Sequence, residues 1–370
     1  MKRALILLLG LALAAAACGD SAETTTTTAA GTTTTAAGTT TAPTTEPPGD
    51  MTVTLVTNNA FSANTFLLDP FTAETGIQVE FIAGGDTGAM VNQAILTKDN
   101  PLGDVLYGFD NTFLSRVLAE DIFEPYESPN AANAMAGFQD LDPENRVTAV
   151  DFGDVCINYD KGWFEENDLA VPQTLDDLRD PAYSGLLTVE NPALASPGLA
   201  FMLATVAAYG EDGWLDFWAD LRENDVEVVN GWDEAYYTSF SGSSGAGPRP
   251  MVVSYASSPP AEVIFADPQP DEAPTGVMLD SCFRQIEFIG ILRGAENVEA
   301  AQALIDWWLT PAMQAELPLN YFVFPVTDVP LPDAFVEHTD VPENPHTLDP
   351  AAIAENRDRW IEEWTSTVLR

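Results

Sequence analysis

Positive charge is what this 370-residue chain has least of: 14 Lys and Arg stand against 57 Asp and Glu. Its lysines are Lys2, Lys98 and Lys161. Such a surface repels phosphate backbones and anionic bilayers, which argues against nucleic acid or acidic membrane surfaces as partners. The same field draws in cations, small cationic solutes included. Histidine is nearly missing as well, since His338 and His346 both fall in a proline-rich stretch. Cysteine occurs only at Cys18, Cys156 and Cys282, with no C-x-x-C and no nearby His in the sequence. Neither a zinc site nor a Cys-His nucleophile is expected from that pattern, and no catalytic residue or metal ligand is assigned. No G-x-G-x-x-G or P-loop follows any strand pattern, so a nucleotide-binding fold is not supported.

What is present begins at the N-terminus. Lys2 and Arg3 precede an apolar run from Ala4 to Ala17, too short to remain as a spanning helix and typical of an export signal. The run ends in L-A-A-A-A-C, which points to lipid modification of Cys18 and a signal segment over 1–18. Residues 19–50 are rich in Thr, Ala, Pro and Gly and almost devoid of large apolar side chains, a composition that reads as a disordered tether. The expected product is an exported lipoprotein held by its lipid to the outer face of the cell membrane, with a folded part starting near Met51. In an exported domain, the remaining pair Cys156 and Cys282 is a candidate disulfide.

From Met51 onward, strand and helix patterns alternate. Strands are expected at Thr52–Val56, Ile77–Ile82 and Asp104–Tyr107, separated by helices over Thr65–Thr75 and Thr87–Lys98 and followed by one over Asn111–Ala119. A second block carries strands at Val155–Tyr159, Gly185–Val189, Val226–Val229 and Met251–Tyr255. Its helices are expected at Ser196–Tyr209, with Ser196 as N-cap, and at Trp214–Asn224. A late strand, Gln285–Leu292, and a terminal amphipathic helix from Pro350, with Trp360 and Trp364 at i, i+4, complete the pattern. Two α/β blocks with late strands returning to the first imply a bilobal α/β protein. Ligands in such folds bind at strand ends in the cleft between lobes.

The stretch N-G-W-D-E-A-Y-Y-T-S-F, Asn230 to Phe240, follows one strand end. Trp232, Tyr236 and Phe240 share helical spacing, which suits a core stripe as well as a pocket wall. Asp233 and Glu234 read as solvated acids of a first helical turn, Tyr237 as turned away from the stripe, and Asp154 and Asp280 as surface acids.

Several segments together carry a resemblance: D-V-L-Y-G-F-D-N-T-F-L (104–114), N-P-A-L-A-S-P-G-L-A (191–200), V-V-N-G-W-D-E-A-Y (228–236) and V-V-S-Y-A-S-S-P (252–259). In this order they resemble the thiamine-binding solute receptors (substrate-binding proteins) of bacterial ABC transporters, and the resemblance runs from about Met51 to the end. It implies a bilobal fold of the periplasmic-binding-protein type II, two α/β lobes joined by hinge crossover strands. Lobe 1 would comprise 51–154 plus 286–345, lobe 2 155–285, and 346–370 would be a helix packed on the body. The resemblance implies a monomer that binds thiamine or thiamine phosphates, uses no cofactor, delivers to a permease and catalyses nothing. Carried over by position, Asp110, Asn111, Ser196, Trp232, Tyr236, Tyr255, Asn320 and Tyr321 would touch the ligand. Asp110 would face the cation, and Cys156–Cys282 would tie the hinge strands. This chain departs from the pattern at Asn58-Asn59, at Pro260-Ala261 and at Tyr321, where the family has aromatics or a Trp. Two alternatives remain: ferric-ion binding, suggested by the adjacent Tyr236 and Tyr237, and an exported thiamine-processing enzyme using a free Cys.

Overall fold

Two long strands organise the molecule, described by a computed structural model over residues 51–242 and 246–370. The expected signal segment, Cys18 and the tether lie outside the described residues. Among the described residues ten strands form one sheet: β1 (Thr52–Thr57), β2 (Gln78–Ala83), β3 (Val105–Asp110), β4 (Phe123–Glu124), β5 (Thr148–Asp160), β6 (Leu187–Glu190), β7 (Glu227–Val229), β8 (Met251–Tyr255), β9 (Thr275–Leu292) and β10 (Phe324–Pro325). The main path runs β2-β1-β3-β9-β5-β8-β6-β7. β1 is parallel to β2 and β3, and β6 is parallel to β7 and β8, so each end of the path is a small parallel α/β sheet. Between them β5 and β9 run antiparallel. The later part of β9 pairs with β3, and the later part of β5 pairs with β8. The fold is therefore the bilobal, type II periplasmic-binding-protein architecture, with β5 and β9 crossing between the lobes.

Both crossing strands are longer than their apolar pattern predicts. The expected cores, Val155–Tyr159 and Gln285–Leu292, extend to 13 and 18 residues. Polar residues such as Asp151, Asp154, Ser281 and Glu287 interrupt the apolar run, and only cross-strand pairing makes them strand. At the crossing the register breaks: Val155 faces Phe283, whereas Ile157 faces Met278. Ser281 fills the gap by accepting the Ile157 N–H at 2.8 Å, and Cys156 and Cys282 are joined by a disulfide with a Cα–Cα distance of 4.2 Å. Asp154 corrects a surface expectation: it is fully buried and paired with Arg284, which reaches its second oxygen at 3.1 Å and lies over the Phe152 ring. Asp280 is exposed and accepts the Leu175 N–H at 3.0 Å.

Helices cover the sheet. Ser196–Glu223 runs as one element broken at Gly210, whose φ of 66° lies in the left-handed region, so the two expected helices meet at a kink. The terminal helix Pro350–Val368 inserts Trp364 edge-on against Trp218 of the kinked helix, at 5.4 Å, while Trp360 donates its indole N–H to Glu211. The same helix lays Arg357 over the Phe113 ring at 4.5 Å, beside the end of β3. It thus touches elements on both sides of the crossing strands.

Candidate functional site

A cavity of about 860 Å³ opens where the two halves of the sheet face each other. One wall comes from the segments after β1 and β2, from the β9 residue Glu287 and from Asn320–Val323. The other comes from Ser196, Trp232–Tyr237, Tyr255 and the Pro259–Ile264 helix. Its lining, among the described residues, carries six carboxyl side chains (Asp86, Asp151, Asp160, Asp233, Glu262 and Glu287) and no Lys, Arg or His.

The aromatic wall is built by an unusual turn. Trp232–Glu234 is helical, and Ala235–Ser239 continues as a π-helix. The wider turn leaves about 80° rather than 100° between successive residues, since each hydrogen bond spans five residues rather than four. Tyr236 and Tyr237 therefore both reach the cavity side with Trp232. Tyr236 stacks on Trp232 with centroids 4.9 Å apart and 18° between planes, and Tyr237 stands edge-on to both. This corrects the expectation that Tyr237 points away, which assumed α-helical spacing. Tyr236 is buried beneath the indole and donates its hydroxyl to Glu262 at 2.8 Å. The Trp232 indole N–H donates to Ser254 Oγ at 2.9 Å. With one face on Tyr236 and its edge tied, the half-buried Trp232 ring is held in place as a pre-set part of the cavity wall.

The remaining expected residues divide clearly. Tyr255 lies on the floor, with Gln285 Nε2 donating to its hydroxyl at 3.4 Å. Tyr321 lines the opposite wall, its hydroxyl 3.5 Å from the Asn58 amide and its ring edge-on to Phe61. Asn320 sits at the rim, donating to Glu316 of its own helix. Ser196 also lines the cavity, though not as an N-cap: Ala195 holds that position and Ser196 is the first helical residue. Its hydroxyl is buried and has no hydrogen-bond partner.

Asp110 and Asn111 are not brought to the cavity surface. Asp110 is fully buried and accepts the Thr112 N–H at 2.7 Å, closing the turn after β3. Burial raises its pKa to about 6 despite the Thr112 bonds and Arg357. Asn111 serves the crossing strand: its amide donates to the Arg284 carbonyl and accepts the Ile286 N–H, both near 3 Å. The acids on the surface are others. Asp86 precedes the Thr87–Leu96 helix without capping it, and its carboxylate lies so close to Gly231 that a Cβ there would sit 2.1 Å from Oδ2. Burial first, and Asp233 second, raise Asp86 to about 6. The G-G-D turn before a helix was its one sequence signal, and ordinary N-capping explained it equally well. Asp233, expected to face solvent, contributes to the same lining.

Asp151 and Glu287 are cross-strand partners at the floor. Burial raises Asp151 to about 7 even though Tyr107 donates to it at 2.8 Å. Glu287 is pushed well above the carboxylate range by burial and then by Asp151 and Asp110. Burial and the neighbouring carboxyl thus favour the protonated forms of these two acids, and a cation placed beside them favours ionisation.

Contacts cross the cavity at both ends. Gly88 N–H donates to the Leu194 carbonyl at 3.0 Å, and Ser257 Oγ donates to the Phe322 carbonyl. Phe265 meets the Phe322 ring edge-on at 5.6 Å. The two walls of the cavity thus touch each other directly at these points.

Residues 100–356 match the family of bacterial extracellular solute-binding proteins. The thiamine-binding periplasmic protein of Escherichia coli (strain K12) is 26% identical over 301 residues, covering 81% of this chain and 87% of that one. Iron uptake protein A1 of Synechocystis sp. is 23% identical over 316 residues, covering 82% of this chain and 84% of that one. Among solved structures, a periplasmic thiamin binding protein aligns with a TM-score of 0.76 at 24% identity, covering 86% of this chain and 96% of that chain.

Proposed function

Because this chain belongs to the bacterial extracellular solute-binding proteins, we propose that it captures thiamine between its lobes and hands it to an ABC importer. The observation that carries this reading is the pairing of an aromatic platform with a carboxyl-lined cavity that has no Lys, Arg or His among its described lining residues. Thiamine has a flat aminopyrimidine, a permanently positive thiazolium and a hydroxyethyl tail. A cation over an aromatic face gains about 0.5–2 kcal/mol, more where water is excluded. Carboxylates in the same partly desolvated space add Coulomb attraction. Trp232 supplies the face, Tyr255 and Tyr321 supply hydroxyls, and Asp86, Asp233 and the Asp151–Glu287 pair supply negative charge. The relatives named for thiamine support the same choice.

The cargo is taken by lobe closure, with lobe 1 as 51–154 plus 286–345 and lobe 2 as 155–285, around β5 and β9. Cys18 carries the lipid anchor, residues 19–50 hold the domain away from the membrane, and the protein works as a monomer outside the cytoplasm. Ferric ion is the weaker reading, although one relative is an iron uptake protein. The Tyr236 hydroxyl is already engaged, buried and donating to Glu262 at 2.8 Å, and no cluster of three or more His, Cys, Asp or Glu suited to a metal ion occurs among the described residues. The enzyme reading needs a free thiolate, and Cys156 and Cys282 are bonded to each other. The test is a tryptophan-fluorescence titration with thiamine, repeated with Trp232→Ala. Saturable quenching at micromolar thiamine that weakens by roughly tenfold or more in the variant is expected. No change with the unmodified chain removes thiamine as the ligand.

A further inference from the structure

Six residues other than glycine adopt a positive φ among the described residues: Asp121, Asp140, Asn145, Asp168, Asp225 and Phe322. Five are Asp or Asn, whose short polar side chains tolerate the left-handed region. Phe322, at φ 57°, is the exception. It follows the Pro311–Asn320 helix, and its N–H donates to the Leu317 carbonyl at 3.0 Å, so it holds the left-handed position after a helix that glycine usually fills. What the strained turn gains lies on the other side of the cavity. The Phe322 carbonyl accepts the buried Ser257 hydroxyl, and its ring meets Phe265 edge-on at 5.6 Å. Ser257 and Phe265 flank the Pro259–Ile264 helix of the opposite wall. Phe265 is 73% exposed, so little of its own wall covers the ring. Just beyond the turn, Phe324 lies edge-on to Phe335 at 5.1 Å, and the short Asp333–Val336 helix packs on the Pro259–Ile264 helix.

We propose that Phe322 is the catch that holds the two walls together at this end and sets how long a bound solute is retained. A bulky residue stays in a left-handed turn only where surrounding contacts outweigh the strain. Here two of those contacts, to Ser257 and Phe265, belong to the far wall. Both are lost when the walls separate, and the turn is then free to relax, so the catch engages and releases as a unit. An edge-to-face ring pair is strong enough to slow that separation by roughly three- to tenfold. Phe322 acts as a positioning residue: its turn, rather than a contact with the solute, carries the effect.

Loss of thiamine from the full chain is followed by stopped-flow tryptophan fluorescence for the unaltered protein, Phe265→Ala, Phe322→Gly and the double variant; these rates rest on the thiamine reading. Phe322→Gly keeps the left-handed turn and removes only the ring. Each single change is expected to speed release roughly three- to tenfold, with the association rate moving less. The double variant is expected to release no faster than the faster single. Both rings line the cavity, so release rates that multiply in the double variant mean two separate contacts with the solute and overturn the proposal. Unchanged release in both singles overturns it as well. Hydrogen exchange of the unliganded chain tests the catch without thiamine. Gly88 is the second residue of the Thr87–Leu96 helix, so its N–H has no acceptor within the helix, and it donates across the cavity to the Leu194 carbonyl. Its exchange should be at least roughly threefold faster in Phe265→Ala, and an unchanged rate overturns the catch. If thiamine fails to bind the unaltered chain, the thiamine reading falls and the exchange result alone decides the catch.

Discussion

Lowering the pH from 7 to 5.5 should weaken thiamine binding, and the structure sets the size of the effect. Asp86 has its pKa raised to about 6, chiefly by burial, from the model-compound range near 4. At pH 7 such a group is about 90% ionised and at pH 5.5 about 25%, so a complex that requires its charge loses about fourfold in affinity. If the Asp151–Glu287 pair must release its proton as well, the loss is larger still, because burial and the partner carboxyl hold both acids towards their protonated forms. The sign is consistent with stability. A carboxyl whose folded pKa is raised favours the empty fold below its unfolded pKa, and that contribution is lost as pH rises through the folded value near 6 or 7. A bound cation offsets that loss, so thiamine should raise the Tm more at pH 7.5 than at pH 5.5. Calorimetric titrations at half-unit steps, paired with thermal melts, measure both. Asp86→Asn should remove the fourfold portion while leaving any Asp151 portion. An affinity that changes less than twofold across this range refutes the assignment of these acids to the cation.

Two further predictions concern the frame around the cavity. Gly231→Ala places a methyl 2.1 Å from Asp86 Oδ2, so the Asp86 carboxylate must swing aside, and thiamine affinity measured by calorimetric titration should fall. Replacing Cys156 and Cys282 with Ser opens a covalent loop spanning 126 residues and should cost about 2–4 kcal/mol in denaturant unfolding. With the native protein, a thiol reagent should modify neither Cys156 nor Cys282 until a reductant is added. Reaction before reduction restores a free-thiol role.

Much of the scaffold was legible because local rules and tertiary packing agree there. Gly76 ends its helix in the left-handed conformation, at φ 77°, and the strand at Val105–Asp110 is buried on both faces as its apolar run implies. The crossing strands were half legible, since a strand carrying Asp151, Asp154 and Glu287 has no apolar alternation to read. The site followed the same division. Trp232, Tyr236, Tyr255 and Tyr321 all line the cavity: Tyr255 ends β8, Tyr321 follows the Pro311–Asn320 helix, and Trp232 and Tyr236 lie in the helical turn after β7. Asp110 also sits at a strand end, yet its carboxyl turns inward to the Thr112 N–H, a choice between two local partners that position alone does not make.

By itself the sequence determined the acidic balance, the alternation of strands and helices, and the crowding of aromatics between Asn230 and Phe240. Those properties follow from composition and from contacts between residues near in the chain. The tertiary structure alone decided which acids meet in the cavity. Asp86 and Gly231 lie far apart in sequence, and Asp151 and Glu287 become neighbours only through the register of β5 on β9. A π-helical turn, invisible to an α-helical reading, brings Tyr237 onto the aromatic wall. Burial then raises the carboxyl pKa values, and burial is a property of the assembled fold rather than of any segment.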